Sequence, residues 1–571
     1  MKQIAKYALG AAALMMGACS SDEPSNSNNG TESKGGDFYA TLTLSLPTGG
    51  GTRAENSDVA GEEYGQDNEN YVGKVLIVLA EKDEQGRFHT VTYAESDARP
   101  GTAVSGTNQI SYTLSFDSKA LKDDPLSGGS TIPGKQNLYV FAYCNPTNQI
   151  LTTFSGNEDF PLGGTMGSIS SGDNADIWTP NSFLMTNSEI SEPVNMPSRD
   201  ELVNNHNTPQ TAVNLGTVKV VRAAARFDFQ TTNDNRYDIK DIDGKTSVGT
   251  VELTQMAMFN IAKNYFHLPR TSSTWDWTTC NRTGALNYEL CGNLEGFVMS
   301  PNENNFKSKS NLDAATLNGK YFCSILNNNL TGTSGTDGKA LKWTSIKPFD
   351  WNNRTDDNHN TWNGADGTNY KIWRYTTENT IPGSTGNQKV GITTGVVFKG
   401  EFTPANREVW NGNVIYVYNN TVYGDFNALK AYVDKNPSSV VAQAFNDLDA
   451  FKSESVSDLS KNLLKGIKAA DCNGFTAYEP EATGMGANAK YVMYYFYYNR
   501  HHNNGNNNLM GPNEFGVVRN NVYKLSVTKV GALGSPTSPD DPDTPDEEES
   551  AYFTVNCLVM PWTVRVNNIE F

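Results

Sequence analysis

Apolar and polar residues alternate with a period of two in many short segments, and this pattern constrains the fold more than any other feature. Side chains at every second position lie on one face of a strand, so each segment predicts a half-buried strand. Polar stretches rich in Gly, Asn and Pro separate the segments and are typical of turns. Short strands separated by turns predict β-sandwiches rather than a parallel α/β sheet. Alternation is clear in residues 38–46, 109–116 and the first part of 551–571. Residues 72–80 instead form a nearly continuous apolar run that suits a central strand, and residues 138–143, 218–229, 251–261, 491–498 and 515–527 are further strand-forming segments.

Helical periodicity is confined to three later segments of the chain. Asp425 stands just before the first of them, at the position that caps a helix. Because strand-forming segments lie on both sides, we expect short helical insertions in an otherwise all-β domain. The three segments are residues 425–433, 438–452 and 456–470.

The N-terminus has the features of an export signal. Lys2 and Lys6 precede an apolar stretch of about ten residues, which is too short to span a bilayer and is typical of a signal peptide. Small residues then lead directly into Cys19, as in a lipobox, where the cysteine becomes lipidated. The alternative is an ordinary signal peptide with an incidental cysteine. Residues 20–36 are polar and predict a flexible tether.

A glycine-rich segment follows the first strand directly. Pro47 ends that strand, and residues 48–56 are poor in apolar side chains and contain Arg53, the first arginine of the chain. Exposed segments of this composition are where proteolysis concentrates. The sequence therefore predicts a cleavage-sensitive link between the first strand and the rest of the protein.

The C-terminal tail is again rich in β-forming residues, which is unusual after a linker. Residues 531–550 are rich in Pro, Ser and Asp and predict an extended acidic linker. Pro561 and Trp562 are expected to divide the tail into two strands, with a bulge at 567–568 in the second. In the first strand one face carries Phe553, Val555, Cys557 and Val559.

Both ends of the processed chain are thus apolar strands joined to the body by flexible segments. Burying the large side chains of the first strand would contribute roughly 1.5–3 kcal/mol each, which in sum rivals the stability of a whole domain. Loss of that strand would leave a groove with unpaired edges. The tail of a second copy could fill the groove, and such head-to-tail contacts build a filament. The apolar face of the removable strand comprises Phe38, Ala40, Leu42, Leu44 and Leu46.

Charge and motif content argue against several other classes of function. The net charge of −18 gives the chain no electrostatic reason to bind nucleic acid or an anionic membrane surface. HExxH, CxxC, Walker A, GxSxG and Rossmann motifs are absent from the sequence. The adjacent pair His501 and His502 lies in an Asn-rich stretch and is expected to form an exposed loop. We therefore expect no enzyme activity, no cofactor and no metal.

Six cysteines besides Cys19 are present, and an even number in an exported protein permits disulfides. Cys280 and Cys291 are nearest in sequence and form the candidate disulfide. Cys144 and Cys557 lie in alternating apolar runs and are expected to be buried free thiols.

Five features of the sequence are distinctive in combination. They are the lipobox at Cys19, the glycine-rich segment with Arg53, the strand 220–229 with its internal Arg222, the Val-Val-Arg-Asn-Asn-Val-Tyr stretch at 517–523, and the tail around Pro561 and Trp562. Together they resemble the fimbrilins of Bacteroidales, the type V pilins. The resemblance covers essentially the whole chain, and its motifs are fairly specific only when taken together.

The resemblance implies two transthyretin-like β-sandwich domains, with short helical insertions in the second. It implies export as a lipoprotein to the outer membrane, held there only by the precursor lipid, and cleavage between Arg53 and Ala54 by an Arg-specific protease. It also implies polymerisation with copies of itself by donor-strand exchange, contact with anchor and tip subunits, and adhesion to receptors on host or bacterial surfaces in biofilms. The implied division is a signal peptide 1–19, a propeptide 20–53, domains 54–215 and 216–530, a linker 531–550 and donor strands 551–571.

Two other functions stay open at this point. The first is a monomeric surface lipoprotein that binds glycans, for which tryptophans could line the site. The second is a tip or anchor subunit of the same kind of fimbria. The removable strand and the strand-forming tail favour a shaft subunit over both. The tryptophans in question are Trp275, Trp277, Trp351, Trp362 and Trp373.

Overall fold

A computed structural model describes most of the chain between residues 36 and 563. The regular structure of the described residues is mostly β-strand with a few short helices, so the expected all-β class is confirmed. The described residues are 36–47, 63–96, 100–118, 121, 136–155, 162–164, 166–170, 172, 175–204, 207–241, 243–272, 275–276, 281–282, 288–292, 297–302, 321–324, 341–352, 370–380, 392–410, 412–448, 473–481, 486–502, 511, 513–537 and 553–563.

The strands and helices have the following bounds in chain order. The strands of the first part are β1 Phe38–Ser45, β2 Glu63–Tyr64, β3 Val75–Lys82, β4 Phe88–Glu95, β5 Thr102–Ala103, β6 Gln109–Phe116, β7 Gln136–Cys144, β8 Met166–Ser168, β9 Trp178–Thr179, β10 Ser182–Phe183, β11 Met185–Asn187, β12 Val194–Met196 and β13 Val213–Arg222. The later strands are β14 Ala224–Gln230, β15 Arg236–Lys240, β16 Ser247–Phe259, β17 Asn264–Phe266, β18 Arg270–Ser272, β19 Trp275–Asp276, β20 Asn281–Arg282, β21 Glu289–Leu290, β22 Phe297–Val298, β23 Thr344–Ser345, β24 Lys371–Thr377, β25 Asn379–Thr380, β26 Gly395–Pro404, β27 Ile415–Tyr418, β28 Thr421–Tyr423, β29 Phe475–Tyr478, β30 Tyr491–Tyr498, β31 Gly516–Val517, β32 Asn521–Val530 and β33 Phe553–Thr563. The α-helices are α1 Asp67–Asn70, α2 Asn148–Phe154, α3 Arg199–Asn204, α4 Pro348–Asn352, α5 Arg407–Trp410, α6 Phe426–Lys435 and α7 Val440–Asp447.

The N-terminal sandwich is one long sheet that folds back on itself. Its strands follow the order β4-β3-β7-β11-β13-β1-β6-β5, and β12 also pairs with β7. The two ends of the sheet approach each other, since the Thr92 hydroxyl of β4 donates to the carbonyl of Asp117 just after β6, at 3.3 Å. The first strand, β1, therefore lies in the interior of the sheet, between β13 and β6.

The C-terminal sandwich consists of two facing sheets. One has the order β2-β33-β32-β14-β24, and the other has the order β15-β16-β26-β30, with β23 also paired to β16. Aromatic side chains fill the space between them. The ring of Phe229 lies 5.9 Å from that of Phe398 and 5.4 Å from that of Trp351. The tail strand β33 is thus part of this sandwich.

The two sandwiches share one nearly continuous strand. β13 belongs to the N-terminal sheet and β14 to the C-terminal one, and only Ala223 separates them. β13 runs across position 215 and pairs with β1 from Val213 onward. The boundary between residues 215 and 216 stays a prediction, as do the other limits of the proposed domains.

The helical insertion in the C-terminal part is confirmed. The Asp425 carboxylate accepts a hydrogen bond from the Ala428 amide at 2.7 Å and so caps α6 as expected. α6 and α7 pack on β27, β28 and β29 around their own apolar cluster. The third expected helix, residues 456–470, lies outside the described residues. Helices also occur in the first part, where α2 has only two turns, too few for a recognisable period.

The described residues lack two kinds of feature. None of the described helices combines the length and the apolar character needed to cross a membrane. The described part of the chain also contains no group of three or more His, Cys, Asp or Glu side chains arranged to hold a metal ion.

Candidate assembly site

The first strand occupies an apolar slot in the N-terminal sandwich. All eight of its residues are in antiparallel register with β6, and Ala40 to Ser45 also run parallel to β13. Phe38, Ala40, Leu42 and Leu44 are completely buried, and Leu46 just beyond the strand is 6% exposed. The alternating face expected from the sequence therefore lies in the core.

Polar groups at both ends of the slot bind the backbone of the first strand. The Asn207 side chain bonds to both polar backbone groups of Tyr39, accepting from the amide and donating to the carbonyl at 3.1 Å. At the other end the Asn108 side chain donates to the Leu46 carbonyl, and the Leu46 amide donates to the Asn108 carbonyl at 3.1 Å. These hydrogen bonds involve the backbone N–H and C=O groups, which every residue except proline has. The slot could therefore bind a strand of different sequence.

Cys19, Arg53 and Ala54 lie outside the described residues, and so does Cys280. Cys291 is buried, and its disulfide with Cys280 stays a prediction. Among the described cysteines, Cys144 is a buried free thiol and Cys557 a partly buried one.

The tail strand is paired within its own subunit. β33 runs antiparallel to β32, with Val555 opposite Val527 and Cys557 opposite Leu525. Val555 and Cys557 pack against the core of the C-terminal sandwich. Donation of this strand to a neighbour would therefore first require it to leave its own sheet. The side chains of Phe553 and Val559 lie outside the described part.

The expected interruption of the tail at Pro561 and Trp562 is wrong. β33 continues through both residues to Thr563, and Pro561 lies opposite Asn521. The ladder tolerates this proline because, among the described residues, the outer side of β33 is paired only where β2 meets Trp562 and Thr563, which leaves the rest of it an edge strand. The expected bulge at 567–568 lies outside the described residues.

A buried cluster of charges lies where the two sandwiches meet. The Arg226 guanidinium is 2.9 Å from Glu63, 3.0 Å from Glu69 and 2.9 Å from Asp228. Lys524 on β32 lies 2.7 Å from the second carboxylate oxygen of Glu63. All five side chains are inaccessible to solvent. Burial raises the pKa of Asp228 to about 6, although Arg226 opposes this shift.

The Val-Val-Arg-Asn-Asn-Val-Tyr stretch organises the same junction. Arg519 binds Glu378 with two hydrogen bonds of 3.0 and 3.1 Å, and both side chains are buried. Asn520 adopts a left-handed φ of 57°, and its side-chain oxygen accepts from the backbone and the guanidinium of Arg222. Arg222 also donates to the Asn70 side chain and the Glu69 carbonyl. The motif at the start of β32 therefore binds the end of β13, and through Arg222 it is connected to the segment around α1.

The sequence interpretation missed the two acidic residues of this cluster. Glu63 and Glu69 lie just after the glycine-rich segment, where acidic residues are usually solvated. The only available signal was the presence of Arg222 and Arg226 within an otherwise apolar strand, because a buried cation requires a partner of opposite charge.

The expected exposure of the histidine pair is also wrong. His501 is only 6% exposed, and its Nδ1 lies 2.9 Å from the Tyr523 hydroxyl. Burial, and next the neighbouring His502, lower the pKa of His501 to about 3. The Asn-rich composition that suggested an open loop belongs to residues 503–508, which follow the pair.

We expect Arg226→Met to destabilise the subunit by about 3–5 kcal/mol, because it leaves three carboxylates buried without their shared cation. Denaturant unfolding of the purified chain measures the change. Arg236→Met, which removes an exposed pair with Glu252, is the matched control and is expected to cost at most about 1 kcal/mol. Equal losses in both variants would contradict the role given to the buried cluster.

Comparisons with known proteins agree with the family expected from the sequence. Residues 489–568 match the family model described as major fimbrial subunit protein type IV, fimbrillin, C-terminal. No curated protein sequence is similar enough to this chain to count as a relative.

Among solved structures, a putative cell adhesion protein from Bacteroides eggerthii is 12% identical, with a TM-score of 0.37, and the match covers 94% of this chain and 99% of that one. The fimbrilin FimA from Porphyromonas gingivalis is 12% identical, with a TM-score of 0.34 and coverage of 92% and 98%. The tip fimbrial protein Mfa3 from the same organism, truncated at its C-terminus, is 12% identical, with a TM-score of 0.30 and coverage of 92% and 100%. Similarity this distant adds nothing to the functional argument, which depends on the family match and on the residues themselves. The segment that contains the Val-Val-Arg-Asn-Asn-Val-Tyr motif and the tail strand, residues 489–568, is the part of the chain that matches the fimbrillin C-terminal family model.

Proposed function

We propose that the chain is the structural subunit of a fimbrial shaft, of the short (minor) kind that Porphyromonas gingivalis carries, and that it supports adhesion and biofilm formation. The observation that carries this proposal is the first strand. It fills a slot in the sandwich interior, and the side chains of Asn207 and Asn108 at the two slot ends bind its backbone rather than its side chains. A strand held in this way can be exchanged for another.

In the proposed sequence of events the precursor is exported as a lipoprotein on Cys19. An Arg-specific protease then cuts between Arg53 and Ala54, which detaches the strand from the body. The tail of a second copy, residues 551–571, enters the vacated slot. Because Phe553–Thr563 pairs with β32 in its own subunit, the tail would either exchange this strand or insert residues 564–571.

The proposed location is the fimbria on the cell surface, with the precursor at the outer membrane. The proposed partners are further copies of the chain, anchor and tip subunits, the processing protease and receptors on host or bacterial surfaces. The role is structural, and no catalytic step is assigned to any residue.

The glycan-binding alternative has less support. Trp351 is completely buried and Trp373 is 4% exposed, so neither offers an open aromatic surface to a sugar. Trp277 and Trp362 lie outside the described residues, and for Trp275 only the backbone is described.

The decisive experiment is Arg53→Ala. We expect uncleaved precursor that keeps its first strand and its lipid and forms few filaments, because the slot stays filled. N-terminal sequencing of surface-extracted protein and electron microscopy provide the two measurements. Wild-type protein is expected to begin at Ala54.

Arg87→Ala is the matched control, since Arg87 lies in the exposed turn before β4 and pairs only with surface groups there. It is expected to leave both cleavage and filament yield unchanged. A normal yield of filaments from Arg53→Ala would contradict the cleavage model.

A further inference from the structure

The segment just beyond the predicted cleavage site is tied firmly to the body of the protein. Its first described residue, Glu63, lies 2.9 Å from Arg226 and 2.7 Å from Lys524. A few residues later Glu69 lies 3.0 Å from Arg226 and accepts a 2.5 Å hydrogen bond from the Tyr375 hydroxyl. The acidic side chains and their partners are buried, so solvent does not screen these contacts.

The same segment covers the end of the tail strand. Glu63 pairs in parallel with Trp562, and Tyr64 pairs with Thr563. β33 therefore lies between β2 on one side and β32 on the other. The ion pair between Glu63 on β2 and Lys524 on β32 joins these two neighbours across the tail strand.

The charges of this junction are balanced only when the segment is in place. Arg222 adds a third cation, since it donates to the Asn70 side chain and to the Glu69 carbonyl. The three cations are then matched by three carboxylates, two of which come from the segment. If the segment left, buried arginines would lose their partners, which is strongly unfavourable. The three cations are Arg222, Arg226 and Lys524, and the three carboxylates are Glu63, Glu69 and Asp228.

We propose that residues 63–70 act as a tail clamp, which stays bound when the first strand departs and holds Phe553–Thr563 in its own sheet. The part of this proposal that concerns cleavage rests on the proposed function. The first strand is held mainly by apolar contacts and backbone hydrogen bonds, which another strand can replace, whereas the clamp is held by buried ion pairs between specific side chains. Cleavage at Arg53 between the two would release the first and retain the second.

The free thiol of Cys557 reports whether the tail strand is open. It lies in the middle of β33, with its sulfur 4.0 Å from the Asn499 side-chain oxygen, and burial raises its pKa to about 12. Alkylation by iodoacetamide needs the thiolate and access, so transient opening of β33, which exposes this partly buried thiol completely, raises the alkylation rate. Peptide mass spectrometry separates Cys557 from the other cysteines. Cys144, buried in the N-terminal sandwich, serves as an internal reference.

We expect Glu63→Gln in the full-length chain to raise the alkylation rate of Cys557 by about tenfold or more, because the loss of a buried ion pair exceeds the free energy that shifts an equilibrium tenfold. The rate at Cys144 is expected to stay unchanged. Glu252→Gln, which breaks an exposed pair with Arg236, is the matched control and is expected to alter neither rate. Wild-type protein cut by the protease is expected to react at the uncut rate.

Either of two results with Glu63→Gln would overturn the clamp. One is an unchanged rate at Cys557 in folded protein, and the other is an equal rise at Cys557 and Cys144, which would indicate general destabilisation. If the variant does not fold, the double substitution Tyr64→Cys and Thr563→Cys replaces it, since these residues are paired in register at a spacing that suits a disulfide. The oxidised form is expected to alkylate at Cys557 about tenfold more slowly than the reduced form, and equal rates would refute the proposal. Because the assay uses isolated subunits, its outcome is independent of whether filaments form.

Discussion

Replacing Leu42 and Leu44 together by alanine is expected to destabilise the precursor by roughly 4–10 kcal/mol and to leave assembled filaments as stable as those of the wild type. Both side chains are completely buried in the slot, and each buried leucine shortened to alanine costs about 2–5 kcal/mol. The filament is unaffected in this model because the first strand is no longer part of it. Denaturant unfolding of uncleaved subunits and thermal dissociation of purified filaments measure the two effects.

The wall of the slot provides the matched control. Leu114 on β6 lies opposite Ala40 and is 4% exposed, and it remains in the subunit after cleavage. Leu114→Ala is therefore expected to weaken both the precursor and the filament. If the Leu42 and Leu44 variant weakened filaments as much as Leu114→Ala does, the first strand would have to remain in the polymer, and the exchange model would fail.

Some strands and helices could be predicted because their own sequence shows which side chains are buried. The first strand is one of them, since Phe38 to Leu46 carry an unbroken apolar face that a single sheet register can bury. The helix after Asp425 is another, because its cap and its apolar spacing are local features. Local patterns of this kind need no knowledge of distant partners.

The features that the sequence did not predict depend on contacts with residues far away in the chain. Glu63 and Arg226 are separated by more than 160 positions, and neither one indicates the other. His501 is covered by Tyr523 and the strands around it rather than by its own Asn-rich neighbours. In the same way, the sequence showed that residues 551–571 form strands, but the pairing of β33 with β32 depends on tertiary structure.

The Val-Val-Arg-Asn-Asn-Val-Tyr stretch lies between these two cases. The sequence marked it as a distinctive motif, and in the structure it holds a buried arginine that pairs with Glu378 and a left-handed turn at Asn520. The sequence did not reveal that the turn faces Arg222. The motif therefore indicates resemblance to the fimbrilins more directly than it indicates a contact.

Deleting residues 551–571 is expected to abolish filaments completely, because the truncated subunit can receive a strand and cannot donate one. The deletion also removes β33 from the C-terminal sheet, so loss of filaments alone would not separate donation from misfolding. Mixing the truncated subunit with wild-type subunits separates these two explanations. A folded acceptor without a tail should bind the donating end of growing wild-type filaments and shorten them at substoichiometric amounts, whereas a misfolded chain should leave their length unchanged. Neutralising the acidic run Asp546–Glu549 in the linker is the control and is expected to preserve filaments.

The strongest form of this test combines two variants that each fail alone. Arg53→Ala keeps its slot filled and retains its tail, so it can donate but not accept. The protease-treated subunit that lacks residues 551–571 can accept but not donate. Mixed together, they are expected to form a 1:1 dimer and nothing larger, measured by size-exclusion chromatography with light scattering. A head-to-tail polymer has one donor and one acceptor per subunit. Growth beyond the dimer, or no association of two folded variants, would therefore contradict strand donation from the tail into the slot of β1.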